Sequence, residues 1–345
     1  MSTVLITGCS GFLGQILTRH LLELGFDCLG IDLHPCEVAH PRFFFLKGDI
    51  RSEPDLKILF SRARIDAVMH VAAVLAHERP SSNFLWTSNV DGTRLVAEFC
   101  KRYRVPKIVF TSSNCLWGES LNRPVVEEDE PNPVELYGRS KWEAEKALLA
   151  YSDDLAPIII RPPTILEAGR LGLLAILFEF IDEGRRVWVV GDGSNRYQFI
   201  YAMDLIEAMV QSLALNDAAV FGIGSDNPKS LEVVYRYVIE RSGSDSRIGH
   251  LPKNVAVPMM KLAHKMGISP LGPYHYKMIA AEFSFDTTKI KRTLGWRPTL
   301  TNEEMLYRAY EYYRDNRANI HSRTAVSAHR MPASMGIIRV MKWVS

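Results

Sequence analysis

A chain of 345 residues with 47% hydrophobic and 23% charged side chains has the composition of a folded globular protein with a sizeable core. A formal net charge of +2 supplies no field that would hold nucleic acid. The five scattered cysteines form neither a CxxC pair nor a zinc pattern with nearby histidines, so no metal is expected.

An odd set of free thiols suits a reducing cytoplasm. A glycine turn already at residue 8 leaves no leader-like run before the first strand, so a cytoplasmic protein is expected. The longest apolar run, 171–178, is far shorter than the ~20 residues of a membrane helix.

In chain order, residues 4–6 read as a strand and 12–24 as a helix with Leu13, Leu17, Leu21 and Leu24 on one face. Strands are expected at 26–32, 43–46, 67–71, 107–111 and 157–161. Helices are expected at 54–62, 84–102 and 137–151 between them. This alternation predicts an α/β fold, a Rossmann-type doubly wound parallel sheet with its ligand along one edge.

Past Pro162-Pro163 the rhythm changes. A helix at 173–182, strands near 187–190 and 198–201, and a mainly helical 228–315 suggest a smaller C-terminal lobe. The expected division is 1–163 with 197–227 for the nucleotide domain and 164–196 with 228–315 for the substrate lobe. Residues 316–345 form a tail. From 318 onward it has no acid but carries Arg323, Arg330, Arg339 and Lys342 among apolar residues. Such a segment could lie on an anionic membrane surface, giving a protein peripheral to the inner face, or dock on protein.

The residues at the expected ligand edge carry chemistry. Gly8, Gly11 and Gly14 sit between a strand and a helix, where backbone can approach a pyrophosphate and a helix N-terminus favours negative charge. Asp32 ends the second strand, where a carboxylate accepts from ribose hydroxyls and repels a 2′-phosphate, favouring NAD over NADP. Asp49 could accept from an adenine amino group.

Tyr137 and Lys141 are four apart and share a helical face. The cation, with a nicotinamide ring, is expected to lower the phenol's pKa for proton transfer. Tyr103 and Lys107 repeat the spacing, but Pro106 intervenes and makes that copy a coincidence. Ser113, in Thr111-Ser112-Ser113 at a strand end, could hold a substrate oxygen. His70 is expected to pack at a strand end.

These motifs, with His70-Val71-Ala72-Ala73, Asn89-Val90-x-Gly92-Thr93, Arg161-Pro162, Gly191-Asp192-Gly193 and Leu294-Gly295-Trp296-x-Pro298, resemble the extended short-chain dehydrogenase/reductases of the NAD-dependent epimerase/dehydratase type over residues 2–313. The resemblance implies Ser113, Tyr137 and Lys141 as catalytic residues. It implies an NAD site formed by Gly8, Gly11, Phe12, Leu13, Gly14, Asp32, Asp49, Ile50, Ala72, Ala73, Asn89, Ser112, Tyr137, Lys141, Pro163 and Thr164. It also implies a homodimer formed through the helices 84–102 and 137–151.

Departures bear on the small-molecule substrate. Asn114-Cys115 follows Ser113 where 4,6-dehydratases carry Asp-Glu, so dehydration is not expected. Thr164, Leu75 and Tyr197 replace the Asn, Lys and diphosphate-binding Arg of UDP-galactose 4-epimerases, with Arg196 a candidate substitute. Arg196 and Tyr201 are the expected substrate residues. A nucleotide-sugar epimerase leads. The alternatives are a dehydrogenase of a sterol-like, lipid-linked or other secondary alcohol, and a non-catalytic NAD-binding scaffold.

Overall fold

The computed structural model describes residues 2–75, 81–170, 172, 174–266 and 280–321. The basic tail from 322 on lies outside the described residues, as does any membrane contact through it.

Seven parallel strands form the central sheet: β1 Thr3–Thr7, β2 Asp27–Asp32, β3 Phe43–Lys47, β4 Ala67–His70, β5 Lys107–Thr111, β6 Ala156–Arg161 and β10 Ala219–Gly222. Their order is β10-β6-β5-β4-β1-β2-β3. The expected doubly wound sheet is therefore present. Central strands such as β6 are buried along their whole length, because helices cover both faces.

Helices α1 Phe12–Glu23 and α7 Ala202–Gln211 pack on one face, over a core including Ile6, Leu17, Leu21, Ile160 and Leu205. Helices α2 Glu53–Phe60, α4 Gly92–Arg102 and α5 Leu136–Leu149 cover the other, over Leu5, Val68, Phe99, Phe110 and Leu148. The order reverses between β1 and β4, which opens a crevice at the strands' C-terminal ends. Leu24, expected on the apolar face of α1, instead caps the helix and is 50% exposed, because the chain turns away at Gly25 with φ +95°.

The expected helix at 84–102 is three pieces in one run. α3 Ser82–Trp86 leads into a π-helical turn, Thr87–Asp91, and then α4. The π turn brings Asn89 to the site described below.

The smaller lobe holds α6 Leu174–Asp182, β8 Val187–Val190, α8 Leu231–Ser242, β11 Ile248–Leu251, α9 Lys253–Lys265, α10 Thr288–Leu294 and α11 Asn302–His321. Strand β11 pairs parallel with β8, inside a stretch expected to be mainly helical. Thr164 starts a strand not expected from the sequence, β7 Thr164–Leu166, paired with β9 Phe199–Tyr201. An aromatic core of Phe178, Tyr197, Tyr310 and Tyr313 knits these pieces together.

The lobe is not closed on itself. Ile290 and Trp296 pack into the core of the nucleotide domain, and the Trp296 indole donates to the Asp204 carbonyl at 2.8 Å. The last helix runs to His321, past the expected start of the tail at 316.

Candidate active site

The dinucleotide loop joins β1 to α1. Gly8 takes φ +75°, and a Cβ there would stand 2.7 Å from the Ala72 backbone. A Cβ on Gly14 would stand 2.0 Å from the Gly8 carbonyl oxygen. These two glycines are demanded by the protein's own packing. Gly11 differs: its Cβ would press only on the Gly8 oxygen, at 3.2 Å, and away from that one tight contact the space over it is open. The ladder of α1 begins with Gln15 N–H to Gly11 O, and the turn holding Phe12, Leu13 and Gly14 forms the helix's positive end.

Asp32 lies at the end of β2 as expected. Its carboxylate accepts from the Ser10 amide at 3.0 Å and the His34 amide at 2.9 Å, which orients it beside the loop. An ionised carboxylate keeps further acceptor positions for ribose hydroxyls. Asp49 is gripped by Arg51, whose Nε lies 3.0 Å from each carboxylate oxygen, and the Arg51 hydrogen bond holds its pKa below the usual carboxylate value against the opposing effect of burial. Ile50 is buried beside it, against the face of Gly92.

Ala72, Ala73 and Val74 follow β4. Asn89 brackets Val74, accepting its N–H at 2.7 Å and donating to its carbonyl at 3.0 Å. The Asn89 amide also donates to Ser140 Oγ at 3.0 Å, and that hydroxyl donates to the Tyr137 carbonyl at 2.7 Å. Asn89 thus ties the Ala72–Val74 segment to the start of α5.

The ends of β5 and β6 set Ser112 and Ser113 beside the double proline. Ser112 N–H donates to Ile160 O at 2.7 Å and Asn114 N–H to Pro162 O at 2.9 Å, which fixes Pro163 and Thr164 nearby. Ser113 Oγ accepts from Cys115 N–H at 3.1 Å and lies close enough to the Tyr137 phenol to influence its ionisation. Lys141 is 2% exposed, with Nζ 3.9 Å from the centre of the Phe110 ring. Burial pulls its pKa down to about 7, with Glu145 and Cys115 opposing.

Tyr137 departs from expectation. Its phenol is raised above the ordinary value, first by burial and then by Cys115, while the Arg170 charge and the nearby Ser113 hydroxyl pull it back. In the chain by itself, the low-dielectric setting outweighs any help from the lysine. Tyr103 and Lys107 are split between the end of α4 and the start of β5, so they share no helical face.

Next to Ser113 a pocket is walled by Cys115, Trp117, Tyr197 and Phe283, with Glu119, Glu135 and Glu282 also lining it. Tyr197 is 2% exposed; its hydroxyl accepts from Asn114 Nδ2 at 2.5 Å and from Thr164 at 3.4 Å. Arg196, one residue earlier, is exposed, as expected where successive side chains of extended backbone point to opposite sides. Tyr201 packs under the Arg308 guanidinium at 5.2 Å, near Glu167, and is not among these lining residues. The structure thus brings Tyr197 and Asn114, rather than Arg196 and Tyr201, to the pocket beside Ser113.

Asn114, which in the sequence marks only a departure from the dehydratases, is not among the expected substrate residues, although it lines the pocket and bonds Tyr197. Sequence reading also passed over Arg170, whose guanidinium lies 5.7 Å from the Phe12 ring centre and whose charge reaches Tyr137. No local pattern marks Arg170.

The residues present fit a dinucleotide. The open face over Gly11, the oriented Asp32 and the buried Ser112 Oγ without a protein partner leave donors and acceptors along the crevice. Fold and site together define a Rossmann-type dinucleotide-binding enzyme. The model of the NAD dependent epimerase/dehydratase family matches residues 4–224, and the chain belongs to that family, within the extended short-chain dehydrogenase/reductases. Its cofactor is NAD.

Among relatives, the chain is 33% identical to the uncharacterized protein y4nG of Sinorhizobium fredii, over 99% of this chain and 86% of that one. It is 26% identical to the UDP-glucose 4-epimerase of Mycolicibacterium smegmatis, over 90% and 98%. It is also 26% identical to the decarboxylating sterol-4-alpha-carboxylate 3-dehydrogenase of Mus musculus, over 89% and 90%. Among solved structures, the UDP-glucose 4-epimerase of Thermotoga maritima with UDP-glucose superposes with a TM-score of 0.75 at 24% identity, covering 91% of this chain and 99% of that one. MoeE5 in complex with UDP-glucose and NAD gives 0.73 at 22%, covering 91% and 99%. Among the described residues no helix is long and apolar enough to cross a membrane.

Proposed function

We propose that this enzyme oxidises a secondary alcohol with Ser113, Tyr137 and Lys141, and that its substrate is a nucleotide sugar that it epimerises. The observation that carries the reading is the placing of the Ser113 hydroxyl near the Tyr137 phenol, with Lys141 one turn further along α5, at the same sheet edge as the dinucleotide loop. Bound NAD supplies the two-electron acceptor. Ser113 holds the substrate oxygen. Tyr137 takes its proton as the carbinol becomes a carbonyl, and returns it when the carbonyl is reduced from the other face.

Burial alone keeps the Tyr137 phenol protonated, so its base form depends on positive charge brought close by the cofactor and by Lys141. Support for a sugar nucleotide comes from the solved neighbours holding UDP-glucose along nearly the whole chain.

A second reading, a dehydrogenase of an apolar secondary alcohol, is favoured by the pocket. A neutral, hydrogen-bonded Tyr197 stands where the epimerases' diphosphate-binding Arg is aligned, beside Trp117 and Phe283. Purified protein is tested with UDP-, GDP- and TDP-sugars without added cofactor, following products by NMR and NADH by absorbance. Epimer without net NADH upholds the first reading. Turnover only with stoichiometric NAD and an apolar alcohol replaces it with the second. In either case Tyr137→Phe abolishes turnover while NAD still binds; retained turnover removes the proton-transfer assignment.

A further inference from the structure

His70 ends β4, is fully buried, and has a partner on each ring nitrogen: Thr7 Oγ1 lies 2.6 Å from Nδ1 and Thr93 Oγ1 lies 2.8 Å from Nε2. The tautomer follows from the neighbours. Thr93 spends its single O–H on the Asn89 carbonyl at 2.7 Å, so towards His70 it can only accept, and Nε2 carries the hydrogen. In the neutral ring Nδ1 is then bare and accepts the Thr7 O–H. Thr7 Oγ1 in turn accepts from the Ala72 N–H at 3.3 Å.

One directed chain therefore runs from Ala72 N–H through Thr7, His70 and Thr93 to the backbone of Asn89, the residue whose side chain grips Val74. Ala72 and Val74 are thus both held by a network with His70 at its centre. The Ala72 backbone is also what crowds the missing Cβ of Gly8, so the position of this segment sets how closely it meets the dinucleotide loop.

We propose that His70, locked as the Nε2–H tautomer, is a positioning residue that holds the Ala72–Val74 segment against the dinucleotide loop and so sets the enzyme's affinity for NAD. The proposal rests on the reading that this segment lines the cofactor. His70 touches neither cofactor nor substrate in this role; it acts through Thr7, Thr93 and Asn89. The network also reaches the catalytic helix, because Asn89 bonds Ser140.

The test pairs spectroscopy with binding. Long-range proton–nitrogen spectra of the wild-type protein should show His70 Nδ1 unprotonated and Nε2 protonated through the neutral range. Thr93→Val keeps the side-chain shape but leaves Nε2–H without an acceptor, and should weaken NAD binding about tenfold, with kcat at saturating NAD nearly unchanged. His70→Asn should do the same, and His70→Gln, whose amide can still donate to Thr93, should recover part of the affinity. Val238→Ala, a truncation in the core of the smaller lobe and away from the network, should lower the melting temperature and leave NAD affinity alone. A protonated Nδ1, or wild-type NAD affinity in Thr93→Val, overturns the proposal. Wild-type protein that binds no NAD overturns the cofactor reading beneath it, and the tautomer spectrum distinguishes the two failures.

Discussion

Removing one partner of the Arg161–Glu145 pair is expected to cost more stability than any other polar substitution near the site. The side chains are 4% and 0% exposed. Arg161 Nε lies 3.1 and 3.2 Å from the two carboxylate oxygens, and a terminal nitrogen lies 2.8 Å from one of them. The other terminal nitrogen donates to the Glu127 carbonyl at 3.1 Å, and the guanidinium lies 5.3 Å from the Trp117 ring centre. Arg161→Met would strand a carboxylate with its guanidinium donors gone and no solvent to replace them. Breaking a buried pair on one side costs about 3–5 kcal/mol, and the complete burial of Glu145 puts the expected loss near the middle of that range or above. Removing both charges in Arg161→Met/Glu145→Leu should recover most of the loss, because desolvation of the pair is avoided along with its attraction. Equilibrium urea denaturation of the two single variants and the double variant forms the assay. A single Arg161→Met variant within roughly 1 kcal/mol of wild type, or a double variant no better than the single, would refute the reasoning. The pair joins the end of β6 to α5 one turn past Lys141, so activity should fall with stability in the single variants.

Three other outcomes follow from the same geometry. Gly11→Ala, which presses only on the Gly8 oxygen at 3.2 Å, should lose little melting temperature yet most of its NAD affinity, since the rest of the space over Gly11 is left for the cofactor; Gly14→Ala, at 2.0 Å from that oxygen, should lose both, and equal loss of stability in the two would count against this division. Asp32→Ala should shift the cofactor preference towards NADP by about tenfold or more, measured as the ratio of the two dissociation constants, and an unmoved ratio would remove the discrimination assigned to that carboxylate. Burial, with the Lys141 charge adding to it, holds His70 down to about 3, against about 6.5 for an ordinary imidazole. The unfolded chain therefore takes up this proton first as the pH falls. Stability present above about pH 6.5 is lost progressively towards pH 3, amounting to about 3 kcal/mol by pH 4. Urea denaturation at pH 7 and pH 4 should show this loss in wild type beyond that in His70→Asn, and equal losses would show that His70 titrates freely.

Much of this protein was legible along the chain because its signals are local. A strand, a glycine turn and a helix are neighbours in sequence, so the dinucleotide loop could be read from Gly8, Gly11 and Gly14, and the acid after the second strand from Asp32. Tyr137 and Lys141 share a helix, and the false copy at Tyr103 and Lys107 was dismissed by Pro106. Strand β7 escaped because its partner β9 lies more than thirty residues away, and strand pairing over that distance has no local mark.

What the sequence by itself determined was the α/β class, the family motifs and which residue types stand at the sheet edge. Only the tertiary structure decided how those residues act on one another. It turned Tyr197 rather than Arg196 into the pocket beside Ser113, because one step along extended backbone reverses a side chain's direction. It raised the Tyr137 phenol although a lysine lies one helical turn away, because burial depends on everything packed around a group and not on its neighbours in sequence. It also joined Thr7, His70 and Thr93 into one directed hydrogen-bond chain, because the protons of three residues from separate elements can be ordered only once folding has brought them within 3 Å.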